Sequence, residues 1–164
     1  MSIYLDIETN RSGEITVVGF FSVSGGLVQM VKPDITGDKL IAALPETASR
    51  IVTYNGNCFD LNVIRKTLGV NLRGIYESCD LRWICQKGGL TGGMKRVESV
   101  LNISRVTTGI DGREALYLWD RFAFGGDIKA LELLLEYNKE DVLNLIEIEK
   151  KLIERNIYIP ASGG

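Results

Sequence analysis

The stretch from residue 3 to residue 9 restricts the possible folds of this chain more than any other part of the sequence. Its apolar side chains occupy every second position, as in a strand that buries one face, and this leaves Asp6 and Glu8 together on the other face. Two carboxylates on one face of a sheet repel each other and are costly to desolvate. The pattern therefore predicts an opening strand whose acid pair holds a cation, although charges on an edge strand can also serve only to discourage aggregation.

The same acid spacing recurs at Glu147 and Glu149, in a stretch that is predicted to be helical. Residues two apart on a helix diverge in direction, so both of these acids are expected to be solvated. Acid spacing therefore indicates a site only where the surrounding pattern predicts a strand.

The length and composition predict one domain over residues 1–164, because a chain of 164 residues can bury a sizeable core. Hydrophobic residues make up 45% of the sequence and charged residues 24%, as in ordinary soluble proteins. No apolar run is long enough to span a membrane, and Asp6 interrupts the N-terminus before a signal-peptide core could form. We therefore expect a cytoplasmic protein with no membrane segment, and free thiols at three cysteines that contain no Cys-x-x-Cys pair.

The sequence contains no histidine. This absence excludes Ser-His-Asp and Cys-His nucleophilic schemes, histidine general bases and histidine-ligated metals. Any metal chemistry therefore has to use carboxylates, which favour hard cations such as magnesium or manganese. The net charge of −2 argues only weakly against a nucleic-acid partner, because acids that hold a metal no longer repel phosphate.

The remaining pattern predicts a β-hairpin, a further strand and several helices. The later strands are predicted at residues 14–23, 27–31 and 51–54, and the helices at residues 38–44, 60–68, 81–86, 94–101, 113–124 and 128–156. Turn residues such as Gly25 and Gly26 separate the segments. This order predicts an α/β fold, in which helices pack on the faces of a mixed sheet.

Asp60 follows the predicted strand at residues 51–54 and a short loop, and it opens a predicted helix. An aspartate in that position can simply cap the free backbone N–H groups of the helix. Ligands of α/β sheets, however, gather beyond the ends of strands, where this loop is expected to lie. Asp60 is therefore a candidate site residue with a structural alternative.

Tyr137 and Asp141 lie four residues apart, so on a continuous helix they share one face. The same face continues with the apolar residues Leu145, Ile148 and Leu152. A carboxylate on such a buried stripe is costly unless it is paired or binds a metal. Alternatively, Asp141 lies in the first turn of a helix that begins at Asn138, at the edge of the core.

The acid pair at residues 6 and 8, the loop that ends at Asp60, and the pair of Tyr137 and Asp141 follow one another along the chain. In this order they resemble the motifs of the DEDD superfamily of 3′-5′ exonucleases, in its tyrosine branch (DEDDy), which has a ribonuclease-H-like fold. The family motifs are Asp-x-Glu, Asn-x-x-x-Phe/Tyr-Asp and Tyr-x-x-x-Asp, and this chain carries them at residues 6–8, 55–60 and 137–141. Further strings at residues 54–56 and 94–98 are most similar to the YprB-type ribonuclease-H-like domain. The resemblance implies a mixed sheet, built from an antiparallel hairpin and parallel strands, that is flanked by helices.

The resemblance also implies hydrolysis of phosphodiester bonds with two divalent cations, Mg²⁺ or Mn²⁺. It assigns the metal-binding and catalytic roles to Asp6, Glu8, Asp60, Tyr137 and Asp141. The four acids hold the ions, and the tyrosine, a poor base at neutral pH, orients the attacking water. Contacts to the terminal nucleotide are implied for Thr9, Asn55 and Phe59, although packing beneath the loop is an alternative role for Phe59.

The implied partner is the 3′ end of a single-stranded DNA or RNA. A catalytically silent nucleic-acid-binding module and an endonuclease on the same fold are the alternatives, because a fold does not fix a function. The sequence leaves a protein partner and a homo-oligomer open.

Overall fold

The computed structural model describes residues 1–160, which form a five-stranded sheet with helices on its faces. The strands are β1 (Ser2–Thr9), β2 (Ile15–Ser22), β3 (Gly26–Val31), β4 (Arg50–Thr53) and β5 (Glu77–Asp80). Their order across the sheet is β3-β2-β1-β4-β5, in which β1, β2 and β3 are antiparallel neighbours and β4 and β5 join in parallel. The predicted α/β fold, a mixed sheet of an antiparallel hairpin and parallel strands flanked by helices, is confirmed. The prediction of one domain over residues 1–164 includes residues 161–164, which lie outside the described range, and it stays a prediction.

The helices within the described residues follow the predicted segments closely. They are α1 (Gly37–Ala43), α2 (Asp60–Leu68), α3 (Leu81–Lys87), α4 (Met94–Val100), α5 (Gly112–Gly125) and α6 (Ile128–Glu154). Each helix begins and ends within two residues of its predicted bounds. β5 and a 3₁₀ turn at Leu72–Gly74 escape the sequence prediction, because β5 has few β-branched residues and no apolar alternation. Among residues 1–160, no helix combines the length and the apolar character that a membrane crossing requires.

β1 is the central strand of the sheet, between β2 and β4. Its apolar side chains at residues 3, 5 and 7 are buried in one hydrophobic cluster, with Leu40 of α1 and Ile64 of α2. The opposite face, which carries Asp6 and Glu8, lies against α6. The alternative of an edge strand that carries charges only against aggregation is therefore wrong, because β1 has neighbours on both sides.

α6 runs without a break for 27 residues through Asn138. It begins after Asp127, whose side chain accepts a hydrogen bond from the N–H of Ala130 at 3.1 Å and so caps the helix. The stripe predicted to face the core is buried along its whole length, at Tyr137, Asp141, Leu145, Ile148 and Leu152. The alternative that placed Asp141 in the first turn of a shorter helix is therefore wrong.

One prediction about α6 is wrong: Glu149 is buried, whereas Glu147 is exposed as expected. The Glu149 carboxylate lies 2.8 Å from the Arg50 guanidinium of β4 and accepts a hydrogen bond from the Tyr4 hydroxyl of β1 at 2.6 Å. These partners compensate the cost of burying the charge. They come from strands far earlier in the sequence, with Tyr4 lying 145 residues before Glu149, so no local pattern could reveal them.

Candidate metal centre

Three carboxylates from two elements converge between the sheet and α6. Asp6 and Glu8 come from β1 and Asp141 comes from α6, and one carboxylate oxygen of each lies within 4.8 Å of the others. β1 brings its two acids to one place because residues i and i+2 share a face of a strand. α6 contributes the third because its buried stripe faces the sheet. We call these three residues the acid trio.

The acid trio is electrostatically unfavourable without a cation. Although Asp6 and Glu8 keep part of their surface exposed, burial of the carboxyl groups and the nearby charge of Asp141 raise the pKa of both well above the usual range. Burial also raises the pKa of Asp141. All the donors of the trio are carboxylate oxygens, the ligands that hard divalent cations prefer. The residues present therefore fit a divalent cation.

Asp60 lies beside the acid trio, but its carboxylate is not among those whose oxygens lie within 4.8 Å of one another. It is the first residue of α2, yet the helix has no side-chain cap, and Phe59 occupies the N-cap position. The Asp60 carboxylate instead accepts a hydrogen bond from the backbone N–H of Ile7 in β1 at 3.2 Å. The capping role considered for Asp60 is therefore wrong. Burial raises its pKa to about 7, although backbone hydrogen bonds lower it.

Asn138 holds Asp6 in place and was missed by the sequence analysis, although it directly follows Tyr137. Its Nδ2 donates to the Asp6 carboxylate at 2.9 Å, and its Oδ1 accepts from Gln29 Nε2 of β3 at 2.9 Å. Gly19 of β2 leaves the room for this amide, because a Cβ at that position would collide with it. The buried chain of hydrogen bonds from β3 to β1 fixes the orientation of the Asp6 carboxylate.

Arg105 is a second residue that the motifs do not reveal. It lies in the loop between α4 and α5, and its guanidinium pairs with Asp141 and with Glu98 of α4. Asn144 of α6 donates to the same Glu98 at 3.0 Å. The side chains of Arg105 and Glu98 are only 10% and 2% exposed. This buried network ties Asp141 to α4 and compensates part of its charge.

Tyr137 lies one helical turn before Asp141 and contacts a lysine. The Lys95 ammonium donates to the Tyr137 hydroxyl at 3.1 Å, lies 4.5 Å from the centre of the ring, and also donates to the carbonyl of Ile110. Because the hydroxyl accepts from Lys95, its own proton is free for a different partner. Burial and the charge of Asp141 raise the pKa of Tyr137, so its hydroxyl is a hydrogen-bond donor rather than a base.

The loop before α2 carries two of the three residues predicted to contact a nucleotide. Asn55 adopts a positive φ of 68°, its N–H donates to Asp80 at 2.8 Å, and its side-chain oxygen accepts from Arg82 at 2.8 Å. Phe59 is 44% exposed, so it is not fully packed beneath the loop. Thr9 is the last residue of β1 and is half-buried.

The stability of the metal-free protein should fall as the pH rises from about 5 to about 8. A carboxyl group whose pKa is raised on folding, as at Asp60 to about 7, keeps a proton that the unfolded chain has already released. Stability is therefore highest below this window, and Asp60 alone removes on the order of 2–3 kcal/mol of it across the window. The absence of histidine removes the usual competing titration. Urea unfolding in EDTA at several pH values measures the slope.

A divalent cation should reverse this slope, because protons and metal compete for the same carboxylates. Mn²⁺ should therefore stabilise the protein more at the alkaline end of the window than at the acidic end. The matched control is Asp34→Asn, which removes an exposed acid paired with Lys39 and should change neither slope. A flat or rising stability in EDTA would contradict the raised pKa values of Asp60 and of the acid trio.

Comparisons with known proteins agree with the fold. A family model described as the RNase H superfamily matches residues 3–153. Among solved structures, the family B DNA polymerase from the hyperthermophilic archaeon Pyrobaculum calidifontis matches 95% of this chain with a TM-score of 0.70 and 18% sequence identity. The chain spans only 25% of that polymerase chain, so the likeness concerns the fold of one part of it. A search of curated proteins found no match.

Proposed function

We propose a function for this chain on the premise that it belongs to the RNase H superfamily, whose model matches residues 3–153. The chain is a metal-dependent phosphodiesterase that hydrolyses a nucleic-acid strand from its 3′ end, as a DEDD exonuclease of the tyrosine branch and of the YprB type. The observation that carries this proposal is the acid trio, whose carboxylate oxygens lie within 4.8 Å of one another. Such a set repels itself when empty and suits the divalent cations that phosphodiester hydrolysis uses.

Two divalent cations, Mg²⁺ or Mn²⁺, are the cofactors that we assign to this centre. The ligands that we assign to them are Asp6, Glu8, Asp60 and Asp141. When bound, such ions stabilise the negative charge that develops on the phosphate and make water a stronger nucleophile. The buried carboxyl groups of the trio lose their protons when they bind metal, which relieves the repulsion between them.

The other residues of the centre orient the acids and the attacking water. Asn138 holds the Asp6 carboxylate, and Arg105 holds Asp141. We assign to Tyr137 a hydrogen bond from its hydroxyl to the water or to a phosphate oxygen, because Lys95 already occupies its acceptor side. Tyr137 is therefore an orienting donor in the proposal, as its raised pKa requires.

The substrate that we propose is the 3′ end of a single-stranded DNA or RNA. The exposed ring of Phe59, beside Asp60, offers a surface on which a terminal base can stack. Thr9 and Asn55 are assigned to the same nucleotide, since they lie at the end of β1 and in the loop before α2. The similar solved structure is a DNA polymerase, which supports a nucleic-acid strand as the substrate.

The test is product analysis on matched DNA and RNA strands, labelled at either end, with Mg²⁺ or Mn²⁺. A 3′-5′ exonuclease gives a descending ladder from the 5′-labelled strand and labelled mononucleotide from the 3′-labelled strand. Internal fragments from both labels would favour an endonuclease on the same fold. Binding of the strands without any turnover would favour a catalytically silent binding module. EDTA should stop the reaction.

A further inference from the structure

A cavity of about 240 Å³ opens beside the acid trio, between α4, α5 and α6. Its wall includes Lys95, Arg96, Arg105, Asp111, Tyr137 and Asp141. Because Tyr137 and Asp141 also belong to the candidate metal centre, a group held in this cavity is next to the acids. The wall carries three cations and two acids. Which of these charged side chains already has a partner decides what the cavity can bind.

Arg96 is the cation of this wall that has no partner within residues 1–160. Lys95 donates to Tyr137, and Arg105 pairs with Asp141, so both of these side chains are held in place. Arg96 lies in α4 next to Lys95 and is exposed, and its guanidinium forms neither an ion pair nor a hydrogen bond with the described part of the chain. An arginine in this state is free to bind a ligand.

The two acids of the wall already have partners. Asp141 pairs with Arg105. Asp111 caps α5, where its carboxylate accepts hydrogen bonds from the backbone N–H groups of Arg113 and Glu114 at 2.9 and 3.0 Å. With three cations against two acids, the wall keeps one positive charge in excess directly beside the acid trio.

We propose that this cavity is a second phosphate subsite and that Arg96 binds there a phosphate of the nucleic-acid strand, next to the phosphate that is hydrolysed. The inference rests on the proposed function, which lays the strand across the acid trio. A guanidinium can form two parallel hydrogen bonds to a phosphate, and the Arg96 side chain has all its donors available for them. Arg96 contributes to strand affinity and takes no part in the hydrolysis.

The test is Arg96→Gln, measured by binding rather than by turnover. Fluorescence anisotropy follows a short labelled oligothymidylate, and its RNA counterpart, each with a phosphorothioate at the 3′ end, in Ca²⁺ at a series of salt concentrations. Loss of one charged contact should weaken binding about tenfold at low salt. It should also reduce the slope of log affinity against log salt by about 0.7, as expected for one phosphate contact of a single strand.

The matched control is Arg155→Gln, which removes an exposed arginine at the end of α6, about 20 Å along the helix from Asp141. Its affinity and salt slope should equal those of the wild type. If Arg96→Gln behaves like Arg155→Gln, or if the wild-type protein binds neither strand, the subsite proposal is wrong.

Competition by thymidine monophosphate identifies which phosphate the cavity takes. Arg96→Gln should weaken the competitor as well if the subsite holds a terminal phosphate, and only the oligonucleotide if it holds an internal phosphodiester. Both outcomes support the subsite. Binding that depends on Arg96 in a protein without turnover would leave the subsite standing and overturn the exonuclease, whereas turnover with unchanged binding by Arg96→Gln would do the reverse.

Discussion

Asp6→Asn should lower metal-dependent hydrolysis by about 10³-fold or more and, at the same time, stabilise the metal-free protein. The pKa of Asp6 is raised by burial and then by the charges of Asp141, Glu8 and Asp60, so this residue repels every other acid of the centre. Asparagine keeps the shape and can still accept the hydrogen bond from Asn138. The substitution therefore removes a repelling charge and a metal ligand without opening a cavity.

The opposite signs of these two effects separate a metal ligand from a structural residue. Rates on labelled strands measure the first effect, and the free energy of unfolding in EDTA measures the second. The increase in melting temperature that Mn²⁺ gives the wild type should also be lost in Asp6→Asn. Asp34→Asn is again the matched control and should retain activity and the Mn²⁺ effect. Loss of stability in EDTA, or wild-type turnover, in Asp6→Asn would contradict the assignment of Asp6.

The parts of the site that the sequence could predict are those fixed by local periodicity. The two-residue period of a strand puts Asp6 and Glu8 on one face, and the helical period puts Tyr137 one turn from Asp141. Both arrangements depend only on the type of element, and that type was predicted correctly in each case. The close approach of the two pairs to each other follows from the packing of α6 on β1, which was expected only through the family resemblance.

The parts that the sequence could not predict are polar contacts between distant elements. Asn138 is satisfied by β3 and β1, and Glu149 by β1 and β4, so their burial depends on the order of strands in the sheet. Arg105 and Lys95 meet Asp141 and Tyr137 from a loop and from α4. A charged residue whose partner is far away in sequence has the same local pattern as a solvated one. Burial of charge therefore has to be read from the fold.

Arg105→Met should lower the free energy of unfolding by about 3–5 kcal/mol, a large part of the roughly 5–15 kcal/mol that typical domains have. The arginine side chain is 10% exposed and lies among three acids, Glu98, Glu140 and Asp141. Its loss leaves Glu98, 2% exposed, without this cation. The remaining partner of Glu98 is the amide of Asn144. Urea unfolding in EDTA measures the change as a lower midpoint at an unchanged slope. Arg121→Met, which removes a partly exposed pair with Asp127, should cost only about 0–1 kcal/mol.

A second substitution tests whether the cost arises from the unpaired charge of Glu98. Glu98→Gln in the Arg105→Met background removes that charge and keeps an oxygen that accepts from Asn144, so most of the lost stability should return. An equally unstable double variant would show that the cost does not arise from the charge of Glu98, and that it arises from lost packing or from the unpaired charges of Asp141 and Glu140. The double variant still leaves Asp141 without its arginine, and Mn²⁺ should therefore stabilise it more than it stabilises the wild type. A smaller effect of Mn²⁺ would mean that the main role of Arg105 is to position Asp141 for the metal. Competition between Arg105 and the cation for the Asp141 carboxylate would then be the minor effect.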